Sequence, residues 1–286
     1  MNSDLKGLLI AFFGIVILAP DAVLVRLADS DSWTVLFWRG IFFAAGIIVI
    51  LLITYRSKAV NELINIGKGG VLIGLLTALG GTSFILAIHY TSIAKTLVII
   101  SISPIVVAIV SLIMLNEKPA LYTWLSMIIV FIGIYIVMAG DKSGMNLMGN
   151  LFALTSVIVG GFSFTLLRKY KNVNMVPAMA VNGITIAFIG LIFSDSLVLS
   201  SQSMLYILGS GIVLAVSFSL ITIAPQYIPA PEVAMFFPLG TVLGTLIAWI
   251  VIKEQPSSNA LIGGSIVIVT LFCHAWHSIK LTQNLK

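Results

Sequence analysis

Val106–Pro119 reads VVAIVSLIMLNEKP, and Leu243–Pro256 reads LGTLIAWIVIKEQP. Both are apolar runs that close on Glu-x-Pro, and they lie 137 residues apart. The same offset carries Tyr90 onto Tyr227, Glu117 onto Glu254, Pro119 onto Pro256 and Lys95 onto Glu232. Proline disfavours helix in the residue before it, so a Glu-x-Pro ending by itself is a helix stop. A helix stop does not account for an offset shared by four pairs. The chain therefore reads as two related halves.

Working outward, most of the chain resembles these two runs. Of its 286 residues, 59% are hydrophobic and 9% charged. Soluble domains carry about 25% charged residues, so lipid is the solvent this surface is built for. A crossing helix needs about 20 residues. On that measure the sequence predicts spans at 7–27, 33–54, 70–89, 94–115, 120–140, 148–168, 177–197, 204–224, 231–252 and 258–278, with ends set to within about three residues. Punctuation is weakest between the seventh and eighth, where Asp195 and Ser200–Ser203 are the only breaks. Met1–Lys6 before an apolar run imitates a secretory leader, but with so many spans after it an uncleaved first helix is expected. The net charge of +5 is too thinly spread to track a nucleic acid. The single cysteine, Cys273, offers no intramolecular disulfide and no cysteine-based metal or redox site.

Lysine and arginine set the orientation. With the N-terminus inside, inner segments hold ten of them: Lys6, Arg56, Lys58, Lys68, Lys118, Arg168, Lys169, Lys171, Lys280 and Lys286. Outer loops hold three: Arg26, Lys142 and Lys253. This bias supports ten spans with both termini cytoplasmic, as in a bacterial inner membrane. Ten spans and the offset divide the chain into five-span halves, residues 1–141 and 142–286. An odd number per half inverts one against the other. The expected fold is an all-α membrane protein of ten transmembrane helices in two inverted five-helix repeats. Such halves give two near-equivalent states, one open to each side, with a site near the midplane between them.

The five-plus-five repeat and the Glu-Lys-Pro and Glu-Gln-Pro endings resemble the drug/metabolite transporter superfamily, in its EamA type. PDAVLVRL (Pro20–Leu27) and WTVLFWRG (Trp33–Gly40) add to the likeness. It covers essentially the whole chain. The second half departs from it, since Pro104 aligns with Thr241 and Pro238 takes its place. The resemblance implies transport of small organic solutes such as metabolites, amino acids or amines, proton-coupled or facilitative, with no cofactor. It leaves the solute open.

Charged groups within a span cost about 2.5–3.5 kcal/mol or more to insert and usually face a cavity or a partner. Asp21 and Arg39 lie equally far from a turn near Ser30, at about 13 Å depth on antiparallel neighbours. They are placed to form a salt bridge, or to hold an amine or proton (Asp21) and a carboxylate or phosphate (Arg39). Pro20, Pro104 and Pro238 free the carbonyls of Val16, Ile100 and Ala234, which lines a cavity or simply kinks a helix. His89, Tyr90, Lys95 and Glu232 flank span ends and are candidates for gating or proton coupling, against plain interfacial anchoring. Trp38 and Tyr135 fall away from the interfacial aromatic belt and are candidates for cation–π binding. His274 and His277 share a helical face, with no third ligand near in sequence, so no metal site is expected. Gly240, Gly244 and Ala248, with Gly80 and Gly81 beside Thr82 and Ser83, suit close helix packing.

No catalytic or nucleotide-binding motif occurs, and the loops leave no room for a soluble catalytic domain, which argues against an enzyme. The expected partners are a small-molecule substrate and the lipid bilayer, with no nucleic acid, in a monomer or weak homodimer. A scramblase, receptor or assembly scaffold is the alternative to transport.

Overall fold

Uninterrupted apolar stretches in lipid must satisfy their own backbone hydrogen bonds, and helices do this within one segment. A computed structural model describes residues 3–139, 146–253 and 258–284, and among these no strand occurs. The helices are α1 (Ser3–Leu18), α2 (Asp21–Leu27), α3 (Ser32–Tyr55), α4 (Ala59–Asn65), α5 (Gly67–Tyr90), α6 (Ile93–Ile100) and α7 (Ser103–Leu115). They continue as α8 (Leu121–Ala139), α9 (Leu147–Lys169), α10 (Ala178–Phe193), α11 (Ser201–Ile223), α12 (Ala230–Ala234), α13 (Phe237–Ile252) and α14 (Ser258–Asn284). Each of the ten expected spans coincides with a helical stretch. Seven of those stretches are long and apolar enough to cross a membrane, and Leu121–Ile136, Ala178–Phe193 and Leu261–His274 are shorter.

Local polar residues set several helix starts. Asp31 accepts from the backbone N–H of Trp33 and Thr34, Ser92 from that of Lys95, and Asn146 from that of Gly149. Ser200, part of the weakest punctuation in the sequence, caps α11 by accepting from Ser203 N. The seventh span stops earlier than the expected 197: α10 ends at Phe193. Ser194 Oγ donates to Ser196 O at 2.6 Å, and Ser196 Oγ accepts from Val198 N at 3.2 Å. These local bonds give the backbone an alternative to another helical turn.

The 137-residue offset recurs in the helix ends. α7 closes at Leu115 with Asn116 at φ 52°, and α13 closes at Ile252 with Lys253 at φ 61°. Both are left-handed caps at equivalent positions. Glu254 and Pro256, and with them the second Glu-x-Pro ending, lie outside the described residues, as does the expected 141/142 boundary. Glu117 is more than a helix stop. Its Oε1 accepts from Arg168 Nε at 2.9 Å, and Arg168 Nη1 donates to Pro225 O at 2.9 Å. That clasp joins the ends of α7, α9 and α11.

Helices pack chiefly across the two halves: α3 on α10 and α11, α5 on α9 and α10, α1 on α11, and α8 on α14. The largest core cluster has this character, with Phe43, Ile47 and Leu51 of α3 meeting Met179, Leu214 and Ala215 of α10 and α11. The α3–α10 contact is backbone against backbone. A Cβ on Gly40 would lie 2.5 Å from Ala187 N and Gly183 O, and one on Gly190 would lie 2.4 Å from Phe37 N. Small residues supply such close approach where no water drives helices together.

Candidate functional site

Three of the spans are broken, and in each a proline begins the second piece. Pro20 stands between α1 and α2, with Ala19 N bonded back to Ile15 O and Leu24 N bonded to Pro20 O. The missing N–H thus falls at the joint and α2 starts on Asp21. Pro104 is the second residue of α7 and Pro238 the second of α13, where an absent donor costs little. α6 ends at Ile100 and α7 begins at Ser103; α12 ends at Ala234 and α13 begins at Phe237. The second break lies three residues earlier than the offset requires, and Pro238 is displaced from the offset by the same three. The proline therefore sets where the span divides. The carbonyl of Ile100 accepts from Ser103 Oγ. At the breaks the two halves touch through hydroxyls: Ser101 Oγ lies 2.5 Å from Thr241 Oγ1, and Thr241 Oγ1 donates to Leu97 O at 2.9 Å.

The ion pair open to Asp21 and Arg39 is formed. Arg39 Nη2 lies 2.6 Å from Asp21 Oδ2, with both side chains buried. Ser210 of α11 closes the arrangement. Its Oγ donates to Asp21 Oδ1 at 2.6 Å and accepts from Arg39 Nε at 3.1 Å. The result is a neutral ring drawn from α2, α3 and α11. A buried pair survives desolvation only when its remaining hydrogen-bonding capacity is met, and Ser210 meets part of it. Sequence alone places Asp21 and Arg39 at one depth but does not show that Ser210, 189 residues from Asp21, faces them.

The ring borders a cavity of about 170 Å³. First-half lining includes Phe43, Thr77, Phe84 and Ser103; second-half lining includes Ser163, Phe164, Asn182 and Thr222. Thr77 Oγ1 and Ser163 Oγ, 2.7 Å apart, form a hydrogen bond in its wall between α5 and α9. Asn182 and Thr222 line the cavity, and their Oδ1 and Oγ1 are buried with no hydrogen-bond partner among the described residues. Gly80, Gly81 and Gly240 line it too, and a Cβ on Gly160 would meet nothing within 4 Å. The glycines keep the space open. A lone Asn or Thr on an apolar span is the sequence signal that points to Asn182 and Thr222.

Other candidates lie elsewhere. Trp38 is outside the cavity: its indole N–H donates to Leu197 O at 2.8 Å and its ring stacks on Phe42. Tyr135 is 67% exposed on the outer face of α8 and does not line the cavity. Pro20, Pro104 and Pro238 are not lining residues themselves, but Asp21, Ser103 and Phe237 beside them are. His89 and Tyr90 are exposed at the end of α5, with Tyr90 stacked on Phe152. Lys95 is in the first turn of α6, and Glu232 in α12 accepts from Tyr122 OH at 3.5 Å. The cavity does not bring these four together with Asp21 and Arg39. His274 packs on Thr123 and Tyr122 in a groove between α8 and α14. Among the described residues no group of three or more potential ligands could hold a metal ion.

Comparison with known proteins agrees with this architecture. The model of the EamA-like transporter family matches residues 5–139 and again residues 147–275. A protein of Methanothermobacter thermautotrophicus described as an uncharacterized transporter is 23% identical over 291 residues, covering 93% of this chain and 83% of its own length. A crystal structure of another protein superposes with a TM-score of 0.79 over 94% of this chain and 96% of that one, at 14% identity. That last likeness is one of fold alone.

Proposed function

This chain belongs to the EamA-like transporter family and is an integral membrane transporter, and from that premise we propose that it carries a small organic solute by alternating access, binding it in the cavity where the halves meet. The observation that carries this reading is a cavity with a buried ion pair at its border and unpaired polar atoms in its wall, lined from both halves. A carrier of this kind needs a site that both states can reach, and inverted halves provide one at their junction. The asymmetry of lysine and arginine supports a topology with both termini in the cytoplasm.

The Asp21–Arg39–Ser210 ring links first-half helices to a second-half helix, so any movement of one half against the other works on it. A solute shifts the balance between states only by as much as it prefers one of them. Contacts that exist in one arrangement and not the other are therefore the ones that drive transport. The test is uptake into sealed proteoliposomes by the purified protein. Saturable flux of one solute class is expected, with thermal stabilisation by the same solute and loss of both in Gly160→Leu, which fills open cavity space. Flux that persists in Gly160→Leu, or lipid movement without solute competition, overturns the reading. Uptake that survives collapse of proton and sodium gradients assigns facilitated diffusion; uptake that follows one of them assigns coupling.

A further inference from the structure

We propose that the cavity selects solutes of no net charge that combine a compact apolar body with a hydrogen-bond donor, and that Asn182 reads the donor. The inference rests on the cavity being the transport site. Among the residues that line it, Asp21 and Arg39 are the ionisable ones, and they neutralise each other at 2.6 Å. A solute with net charge entering this space gives up its water without gaining a counter-ion, and burying an unpaired charge is heavily penalised. A neutral solute, or one whose charges balance, escapes that penalty.

The wall specifies the rest. Asn182 and Thr222 are buried residues of the cavity wall, and each carries an oxygen with no hydrogen-bond partner among the described residues. A carboxamide oxygen can only accept, so its partner must be a donor; a threonine hydroxyl can do either. An unmet buried acceptor is costly, and a donor-bearing solute removes that cost. Phe43, Phe164, Phe218 and Phe237 supply an aromatic lining. The volume of about 170 Å³ compares with the ~150 Å³ apolar cavity that admits benzene. One ring with a small polar group is the natural size. The glycine positions argue for the same use, since Gly160 leaves room that any side chain would take.

The experiment uses the full-length protein in detergent and four matched probes: benzamide, N,N-dimethylbenzamide, benzoate and benzylammonium. Affinity is read by calorimetry and by thermal shift. Benzamide is expected to bind, with the other three at least tenfold weaker, and Asn182→Asp is expected to move the preference to benzylammonium by giving the cavity a net negative charge. Gly160→Leu is expected to abolish benzamide binding, and Thr222→Val, nearly isosteric, to weaken it while keeping the fold. Benzoate or benzylammonium binding as tightly as benzamide, and lost in Gly160→Leu, overturns charge selection and leaves the cavity site standing. Equal binding of benzamide and its dimethyl analogue overturns the donor-reading role of Asn182. Binding unaffected by both Gly160→Leu and Thr222→Val overturns the cavity site itself. Absence of binding by all four overturns the proposed solute class, and the flux assay then judges the site separately.

Discussion

The first spans of the two halves make an instructive pair. In the first half the span divides at Pro20 into α1 and α2, and the break presents Asp21 to Arg39. In the second half the corresponding span, α9, is one continuous helix of 23 residues whose cavity face carries Ser156, Gly160 and Ser163. One half supplies both charges of the site, and the other supplies only neutral polar groups: Ser163, Asn182, Ser210 and Thr222. At the fourth and ninth spans the contrast vanishes, because both are broken by a proline and both end in a left-handed cap. The scaffold repeats while the chemistry does not. In the proposed alternating access, a repeated scaffold gives two comparable states, and an unrepeated charge pair makes them unequal for a given solute.

The largest test of the contrast is to remove charge from one half and polarity from the other. Arg39→Ala leaves Asp21 buried and unpaired and is expected to cost about 3–5 kcal/mol, read as a fall in thermal unfolding temperature. The double variant Asp21→Asn/Arg39→Gln should recover most of that loss. Asn182→Leu, which removes an unmet acceptor, is expected to be neutral or slightly stabilising. Equal losses in Arg39→Ala and Asn182→Leu would break the comparison.

A middle-sized test uses glycines on the two sides of the interface. On Gly183 of α10 a Cβ would lie 2.7 Å from Ala44 N, and on Gly46 of α3 it would lie 2.6 Å from the Ala215 methyl. A Cβ on Gly183 would also lie 2.9 Å from the Ala44 methyl and from Gly40 O, whereas beyond the Ala215 methyl one on Gly46 would meet only Gly211 O at 3.9 Å. Gly183→Ala should therefore destabilise by about 1–3 kcal/mol and Gly46→Ala by less, with the gain in helix propensity of ~1 kcal/mol offsetting part of the strain in both. Chemical denaturation in mixed micelles orders the two; the reverse order would show that the interface yields from the α10 side. The smallest effect is expected at the joined breaks. Thr241→Val removes a cross-half hydroxyl bond while Ser101 Oγ keeps Leu97 O at 2.9 Å. A loss of about 1 kcal/mol is expected, with a larger relative effect on transport rate than on stability if the two breaks move together.

Much of the architecture was legible in the sequence because lipid leaves few options. Length and apolarity mark helices, hydroxyl and carboxamide residues mark their starts, and the 137-residue offset reappears in the caps at Asn116 and Lys253. The Asp21–Arg39 pair was legible for a related reason: counting residues from a turn gives depth. Counting does not give the direction a residue faces within the bundle, nor which helix of the other half it meets. Ser210 therefore went unread, as did the Arg168–Glu117 clasp. Tyr135 shows the same limit from the other side, since mid-span position alone does not separate a lipid-facing ring from a cavity-facing one. Boundaries failed where side chains compete locally for the backbone, as at Ser194 and Ser196.

The glycine contact between α3 and α10 has one more implication. Two helices held by interlocked side chains must lift apart before either can slip, because each knob sits in a hole. At Gly40, Gly183, Ala187 and Gly190 the backbones meet directly, flanked by larger side chains such as Phe43 and Met179 and the Trp33–Phe193 ring pair. Arg39 stands beside Gly40 at this contact, with Ser210 held at 3.1 Å by a different helix. Any travel of α3 along this contact also moves the guanidinium relative to that hydroxyl. In the alternating access proposed above, the surface that holds the halves together is also the one they must shift across, and the charged ring stands astride it.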